Sequence, residues 1–372
     1  MHPEFRLDEK LIHLNNAAVA PWPQRTLQAI MEFSEENIRH SSKHYMQWLK
    51  VEHELRLRLT RLLGAKSPDD IALIKNTSEG LSFIAYGLSW QQGENVITSN
   101  QEFPSNRIVW ESLAEKGVEF RQVDISGRDP EAALIEKIDD RTRLLSISSV
   151  QFGSGLRMDL KRLGKACKER GVLFCIDAIQ SLGAIRFDAQ ACHADFVVAD
   201  GHKWMLAPEG LGVFYSSPQA REQLSLTQYG WHMVERKGDF DRNDWEISKN
   251  ASRFEPGSQN MLGIHALNAS LSLLEEERMV NVEAAVLKNS SLLIEAVQAS
   301  DSLELMTPSQ EGRFAGIVTF RHRSWDAAAL HRYFEEQDVL CAQRFGGVRF
   351  SPHYYLPKSQ MHRVVKMISE LA

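Results

Sequence analysis

Residues 172–215 read VLFCIDAIQSLGAIRFDAQACHADFVVADGHKWMLAPEGLGVFY, and this stretch decides the fold. It holds three short apolar runs, VLFCIDA, ADFVVAD and GLGVFY, with polar or glycine-containing segments between them. Continuous apolar runs of this length are typical of strands buried on both faces. The first two runs end in Asp177 and Asp200. We therefore expect a mostly parallel sheet that presents acidic side chains where its strands end.

The same pattern extends on both sides of this stretch. Between residues 71 and 215, β-rich runs alternate with helical segments; the further runs are IALIK, NVITS, VEFRQV and RLLSISSV. Asp159 and Gly171 bracket one such helix, as the capping preferences of helix ends predict. This alternation predicts an α/β domain with helices on both faces of the sheet.

The flanking segments differ in pattern. Residues 26–63 show helical periodicity, and a long helix is predicted over residues 263–300 after a loop-rich segment. The remaining tail alternates short strands with helices. The sequence therefore predicts a second, smaller α+β domain.

Composition limits the functional classes. The 372 residues include 43 Lys plus Arg and 49 Asp plus Glu, for a net charge of −6, which argues against nucleic acid as a partner. Neither a membrane-spanning apolar segment nor a signal-peptide core is visible, so we expect no membrane partner. The four cysteines are scattered, which favours a cytoplasmic location. His40 and His44 have no third ligand in view, so no metal site is expected.

The chemistry is predicted to concentrate after the two acidic strand ends. Asp177 is followed by Gln180, and Asp200 by His202 and Lys203. A lysine directly after a buried strand suits Schiff-base chemistry, because burial depresses its pKa and frees the amine. A carboxylate that pairs a pyridinium nitrogen is the other requirement of pyridoxal phosphate. An ordinary strand-end acid and a surface lysine remain the alternative.

Three further segments add candidate residues. NTSEG (76–80) has capping-box spacing, and its Thr77 and Ser78 could form an anion seat or belong to a plain capped helix. Phe103 in EFPSN (102–106) could stack on a flat ring or pack in the core. In the tail, Arg349 and its rival Arg344 could bind a carboxylate or lie at the surface.

Taken together, these segments resemble the class V aminotransferase family of fold-type I pyridoxal-phosphate enzymes. The pair DAIQ (177–180) and ADGHKW (199–204) carries the resemblance most specifically, and it extends from HLNNAAVAPWP (13–23) to RFSPHYYLPKSQMHRVV (349–365). The resemblance implies a mainly parallel seven-stranded sheet in a large domain of residues 20–258. It also implies a small α+β domain formed by residues 1–19 and 259–372, and a homodimer with shared active sites.

The resemblance also assigns roles. Lys203 is similar to the lysine that binds the cofactor, Asp177 to the partner of the pyridine nitrogen, and Gln180 to the donor to the ring oxygen. Arg349 is similar to the arginine that binds the substrate α-carboxylate. The remaining implied cofactor contacts are Thr77, Ser78, Phe103, Gln151, His202 and Ser258, the last from the other subunit. The role of Asp200 stays open.

One departure concerns sulfur chemistry. Persulfide-forming desulfurases carry a nucleophilic cysteine on a flexible loop before the carboxylate-binding arginine. Here the corresponding stretch, VLCAQRFGGVRF (339–350), has only Cys341, inside an apolar strand-like run. We expect Cys341 to be a small buried hydrophobic residue, and a persulfide relay is not expected.

The resemblance implies an enzyme that acts on an α-amino acid through an external aldimine and a Cα carbanion, in a class V aminotransferase-type reaction. The alternatives are a C–S or C–Se lyase, an amino-acid epimerase, and a catalytically silent interaction module. A nicotinamide-dependent oxidoreductase would need a G-x-G-x-x-G turn, and none is found. The side-chain pocket is expected to be shaped by Tyr229, Trp231, His232, Trp22 and Trp204.

Overall fold

The computed structural model describes residues 2–241 and 243–371. In chain order the α-helices are α1 (Gln24–His40), α2 (Tyr45–Leu63), α3 (Thr77–Gly87), α4 (Ser105–Glu111), α5 (Pro130–Glu136), α6 (Leu160–Arg170), α7 (Pro218–Arg221), α8 (Met261–Glu277), α9 (Met279–Gln298), α10 (Ala327–Glu335) and α11 (Lys358–Ser369). The strands are β1 (Ile12–His13), β2 (Ile71–Ile74), β3 (Asn95–Ser99), β4 (Glu119–Val123), β5 (Thr142–Ser148), β6 (Leu173–Asp177), β7 (Phe196–Asp200), β8 (Gly212–Ser216), β9 (Leu303–Leu305), β10 (Val318–His322), β11 (Val339–Leu340), β12 (Ala342–Arg344) and β13 (Gly347–Phe350).

Seven strands form the larger sheet, in the order β2-β8-β7-β6-β5-β3-β4. Only β8 runs antiparallel to its neighbours, β7 and β2. Each of the seven apolar runs that the sequence indicated lies in one of these strands. The predicted mainly parallel seven-stranded sheet is confirmed. Its strands are almost entirely buried, as their apolar runs indicated, except for the edge strand β4, which is largely exposed or half-buried.

The helices lie where the sequence predicted them, but two of the predicted helical segments are each interrupted once. In α6, Asp159 accepts the N-cap hydrogen bond from the backbone of Arg162, and Gly171 ends the helix at φ +67°. The single helix predicted over residues 263–300 is wrong: α8 and α9 are separated at Arg278, whose φ of +64° interrupts the helical path. Ser41, at φ +50°, similarly separates α1 from α2.

The second sheet is antiparallel, with the order β12-β13-β10-β9. Its core contains Phe320, Phe334 and Phe350, together with Ile12 and Leu14 from the start of the chain. Strand β1 pairs in parallel with β11, so the two chain ends fold together. Helix α8 packs on α1 and α2, and its apolar residues join the core beneath the larger sheet. The domain limits at residues 19 and 258 stay a prediction.

Trp204, which directly follows Lys203, is held by contacts with residues of the larger-sheet region and of the C-terminal region. The ring of Trp204 is fully buried, and its carbonyl oxygen lies 3.1 Å from Nε2 of His353. The backbone of Gly183 lies against the Trp204 carbonyl, and Gly316 lies against the Trp204 ring. Side chains at these two positions would displace Trp204 and therefore the turn that carries Lys203.

Among the described residues, no helix combines the length and the apolar character needed to cross a bilayer.

We predict that Gly183→Ala destabilises the protein more than Gly312→Ala does. Both glycines have a positive φ, but only Gly183 lies against another part of the chain. A Cβ at Gly183 (φ +94°) would lie 2.2 Å from the Trp204 oxygen, whereas at Gly312 (φ +78°) nothing lies within 4 Å. Gly312→Ala should cost about 1 kcal/mol through the positive φ, and Gly183→Ala about 2 kcal/mol more through the clash. Urea unfolding measures both, and equal losses would contradict the contact.

Candidate active site

The site lies where β6 and β7 end. These strands are parallel neighbours, with Asp177 in register with Val198, so Asp177 and Asp200 reach the same edge of the sheet. A cavity of about 250 Å³ opens at this edge. Eight predicted site residues line it: Thr77, Ser78, Phe103, Asp177, Gln180, His202, Lys203 and Arg349. The two sheets together thus bring residues that lie up to 272 positions apart in the chain to one cavity.

A buried amine and a buried carboxylate share this cavity. Lys203 is only 8% exposed and Asp177 only 2%. Burial lowers the pKa of Lys203, and the negative charge of Asp177 counteracts this. Burial raises the pKa of Asp177, although the hydrogen bond from the Ile179 backbone at 3.0 Å favours the carboxylate. The arrangement holds an amine that loses its proton more readily than a solvent-exposed lysine.

The N-terminus of α3 forms the next wall. Asn76 caps the helix by accepting from the backbone of Glu79 at 2.9 Å, and the Ser78 hydroxyl donates to Ser105. The hydroxyl of Thr77 is buried and makes no hydrogen bond within the described part of the chain. A free hydroxyl at a helix N-terminus suits an anion such as a phosphate.

Asp200, whose role the sequence left open, holds this helix terminus. Its Oδ1 accepts a hydrogen bond from the backbone N–H of Thr77 at 3.0 Å, and its Oδ2 lies 3.8 Å from Nδ1 of His202. Burial raises the pKa of Asp200 to about 6, whereas burial lowers the pKa of His202 to about 4. His202 is therefore neutral at pH 7, and Asp200 orients the α3 terminus.

Phe103 and Gln180 form further parts of the cavity lining. The Phe103 ring centroid is 5.5 Å from Nζ of Lys203, and this ring makes an edge contact with Phe152. Gln180 accepts from the Trp204 indole at 2.8 Å and donates to the Ala17 carbonyl at 3.1 Å. One N–H of its amide is left for another acceptor, because a side-chain amide carries two donors.

Arg349 forms the cationic side of the cavity. It is 2% exposed, and its Nη1 donates to the Phe152 carbonyl at 2.8 Å. Its Nε makes no hydrogen bond to the described residues. Burial, and then the charge of Arg344, lower the pKa of Arg349, so an incoming carboxylate would be stabilising. Arg344 lines the same cavity, so the two rival arginines lie together.

Two predicted site residues, Gln151 and Ser258, are not among the described residues that line the cavity. Gln151 is fully buried and donates to Glu102 at 2.8 Å, one layer behind the described residues that line the cavity. Ser258 also lies outside that set, in the turn before α8. Sequence reasoning missed Glu102 altogether, although it directly precedes Phe103 in EFPSN.

A single chain does not form the predicted side-chain pocket at the Lys203 cavity, and this pocket stays a prediction. None of the five residues expected to shape it is among the described residues that line the Lys203 cavity. Tyr229 and Trp231 line a separate cavity of about 510 Å³. Trp204 turns away from the cavity because its indole fills the space beside Gly316 and His353.

Cys341 behaves as expected of a buried cysteine. It is 4% exposed, and burial raises its pKa to about 12. The residues that follow it form the tight β12–β13 hairpin. Within residues 2–241 and 243–371, no group of three or more His, Cys, Asp or Glu side chains is placed to hold a metal.

Comparison with known proteins identifies the family. Residues 12–361 match the sequence profile of "Aminotransferase class-V". The chain belongs to the class V aminotransferase family. A curated relative is the "Probable cysteine desulfurase" of Methanothermobacter thermautotrophicus, which is 26% identical across 97% of this chain and 94% of its own length.

Solved structures show the same fold. A mutant of C-DES with glycine covalently linked to its PLP cofactor superposes with a TM-score of 0.87 at 19% identity, covering 97% of this chain and 96% of that one. The cysteine desulfurase CsdA of Escherichia coli gives a TM-score of 0.86 at 20% identity, covering 98% and 95%. The predicted fold-type I architecture of PLP-dependent enzymes is therefore confirmed.

The residues of the cavity fit the cofactor of this family. The orphaned Thr77 hydroxyl at the α3 terminus suits a phosphate, and Phe103 offers an aromatic face. Lys203 and Asp177 supply the amine and the carboxylate that a pyridoxal ring needs.

We predict that Asp177→Asn makes Lys203 of the cofactor-free chain react with acetic anhydride at lower pH. The carboxylate favours the ammonium form, so its removal should shift the pH midpoint of acetylation down by roughly one unit. Mass spectrometry of the Lys203 peptide gives the midpoint. Asp129→Asn, an exposed acid paired with Arg162, serves as the control. A midpoint unchanged by Asp177→Asn would contradict the electrostatic coupling.

Proposed function

We propose that this chain binds pyridoxal 5′-phosphate in the Lys203 cavity and converts an α-amino acid there. The observation that carries the proposal is the convergence of Lys203 and Asp177, both buried, on one cavity. The bound cofactor supplies an electron sink for the charge that develops when a bond to Cα of the amino acid is broken.

Each wall of the cavity has a proposed binding role. Thr77, Ser78 and neutral His202 hold the phosphate at the α3 terminus. Phe103 stacks on the ring, and the free N–H of Gln180 donates to the ring oxygen. Asp177 holds the proton of the ring nitrogen, because a carboxylate in a buried site strongly favours a cation beside it.

Lys203 has two proposed roles. Its amine attaches the cofactor, for which the lowered pKa prepares it. Once the substrate amine has replaced it, Nζ of Lys203 takes or returns the proton at the substrate Cα. A base of lowered pKa suits this transfer near neutral pH.

Arg349 is the proposed anchor of the substrate α-carboxylate. Its unpartnered Nε and its Nη2 are available for a bidentate contact, since Nη1 is engaged by the Phe152 carbonyl. Arg344 adds positive charge on the same side of the cavity. The substrate is therefore oriented with its carboxylate toward β13 and its Cα toward Lys203.

The proposed overall reaction is of the class V aminotransferase type. A C–S lyase is the second candidate, and two observations favour it. Curated relatives carry the name cysteine desulfurase, and another solved structure of similar fold is the cystine C–S lyase C-DES with its product cysteine persulfide, at a TM-score of 0.87 and 20% identity. Burial of Cys341 favours a lyase that works without a protein thiol. A C–Se lyase or an epimerase would share the same first steps.

We also propose a homodimer with shared active sites. An apolar stripe on α1, formed by Leu27, Met31 and Ile38, is exposed in the single chain, and so are Trp231 and Phe240. Ser258 fits a contact to the partner's cofactor, because it lies outside its own chain's cavity. A cytoplasmic location is proposed on the basis of four buried, unbridged cysteines.

Lys203→Ala should abolish covalent attachment of the cofactor. Wild-type protein incubated with pyridoxal 5′-phosphate should turn yellow, and borohydride should fix an adduct on Lys203, because the reduced imine no longer hydrolyses. The control Lys161→Ala removes another lysine and should keep the adduct. Peptide mass spectrometry locates it. A colourless wild-type protein without an adduct would favour the silent interaction module.

Cys341→Ser should leave any sulfur release from cysteine or cystine within about twofold of wild type, because the buried thiol with its raised pKa is a poor nucleophile. Sulfide and pyruvate assays measure the turnover. Loss of sulfur release in this variant, with retained folding, would instead indicate a protein persulfide.

A further inference from the structure

The carboxylate of Glu102 is buried behind the cavity, directly before Phe103 in the chain. It is 7% exposed and joins the ends of β3 and β5 to α4. Its Oε1 accepts from the Ser99 hydroxyl at 2.9 Å and the Gln151 amide at 2.8 Å, and its Oε2 accepts from the Asn106 amide at 2.8 Å. The backbone N–H and the hydroxyl of Ser148 also donate to it.

In this structure every partner donates to Glu102, and two of the donors cannot act as acceptors instead. The Asn106 amide cannot turn its oxygen to Glu102, because that oxygen already accepts from Trp110 at 2.9 Å and Ser146 at 2.6 Å. The Ser148 backbone N–H can only donate as well, whereas the hydroxyls of Ser99 and Ser148 and the Gln151 amide can also accept. An ionised carboxylate, which accepts at both oxygens, satisfies all of these donors at once.

This buried charge has no basic partner in the part of the chain that the structure describes. Burying an unpaired charge is costly, even when hydrogen bonds surround it. The charge also opposes that of Asp177 and so adds to the burial that raises the pKa of Asp177. The carboxylate of Asp177 in the cavity and that of Glu102 behind it destabilise each other unless a cation lies nearby.

We propose that Glu102 is a positioning residue that fixes Phe103 against the cofactor ring and, behind Asp177, provides a second negative charge that favours the protonated ring. The proposal rests on the proposed function, since it presupposes that pyridoxal 5′-phosphate occupies the cavity.

The anchoring of Phe103 follows from the bonds on both sides of it. Phe103 lies between Glu102 and Asn106, whose side chains bond to each other, and the Asn106 backbone donates to the Phe103 carbonyl at 2.9 Å. The ring is exposed, yet the backbone that carries it is tied to the ends of β3 and β5. Release of Glu102 would therefore loosen the face on which the cofactor ring stacks.

The test compares Glu102→Gln with Ser99→Ala in the cofactor-loaded protein. The first variant removes the charge, whereas the second removes one hydrogen bond to Glu102 and keeps the charge. Two quantities are measured: the dissociation constant of pyridoxal 5′-phosphate by fluorescence quenching, and the pH midpoint of the change in visible absorbance of the bound cofactor.

We expect Glu102→Gln to weaken cofactor binding by about tenfold or more and to lower the pH midpoint by roughly half a unit, because a cation in the cavity loses a nearby negative charge. Ser99→Ala should leave the midpoint at the wild-type value. An unchanged midpoint in Glu102→Gln, or equal shifts in both variants, would overturn the proposal.

A second variant covers the case in which Glu102→Gln does not fold. Glu102→Asp keeps the charge but withdraws the carboxylate by one methylene group. It should retain the midpoint and weaken cofactor binding; wild-type affinity would overturn the positioning role. The wild-type protein is tested with pyridoxal 5′-phosphate before any variant is made. If it stays colourless, the proposed function itself is overturned.

Discussion

The parallel pairing of β6 with β7 is the constraint on which the site depends. It brings the carboxylate of Asp177 and the turn that carries Lys203 to the same edge of the sheet. The antiparallel return of β8 then fixes that turn, since the Gly201 backbone donates to Leu211 at 3.0 Å. Without this pairing, the amine and the carboxylate would not share a cavity, and neither would have its pKa shifted by the other.

The cavity is closed by parts of the chain that are remote from the larger sheet. Residues 17–19 cover it, held by the Gln180 amide and by a backbone bond from Ala20 to His202 at 3.0 Å. Strand β13 contributes Arg349 from the smaller sheet. The charges are thus arranged by three separate elements: acids from the strand ends, the amine from the β7–β8 turn, and guanidinium groups from the β12–β13 hairpin. Such an arrangement can orient an amino acid, because its amine and carboxylate meet opposite sides of the cavity.

The residues of the cavity say more about the first steps of the reaction, which all the candidate activities share, than about its last step. Lys203, Asp177 and Arg349 suit any reaction that begins by binding an α-amino acid and moving its Cα proton. What separates transamination from loss of sulfur is the fate of the charge at Cα. Burial of Cys341 bears on that question, since it removes the thiol that a persulfide relay would use.

The sequence by itself indicated the seven strands of the larger sheet and picked out Lys203 and Asp177 as candidate site residues, because apolar runs and residues at strand ends are local signals. Arg349 was singled out through the family resemblance. Sequence reasoning failed at Arg278, where a single positive φ breaks a helix whose periodicity continues. It also failed for Trp204, which turns toward Gly316, and it gave no sign that Gln151 bonds to Glu102 behind the cavity. The direction of a side chain and the hydrogen bonds between distant segments depend on which elements meet. Only the tertiary structure decided these directions and hydrogen bonds. They depend on how β3, β5, α4 and the two chain ends pack together, and no local sequence pattern predicts that packing.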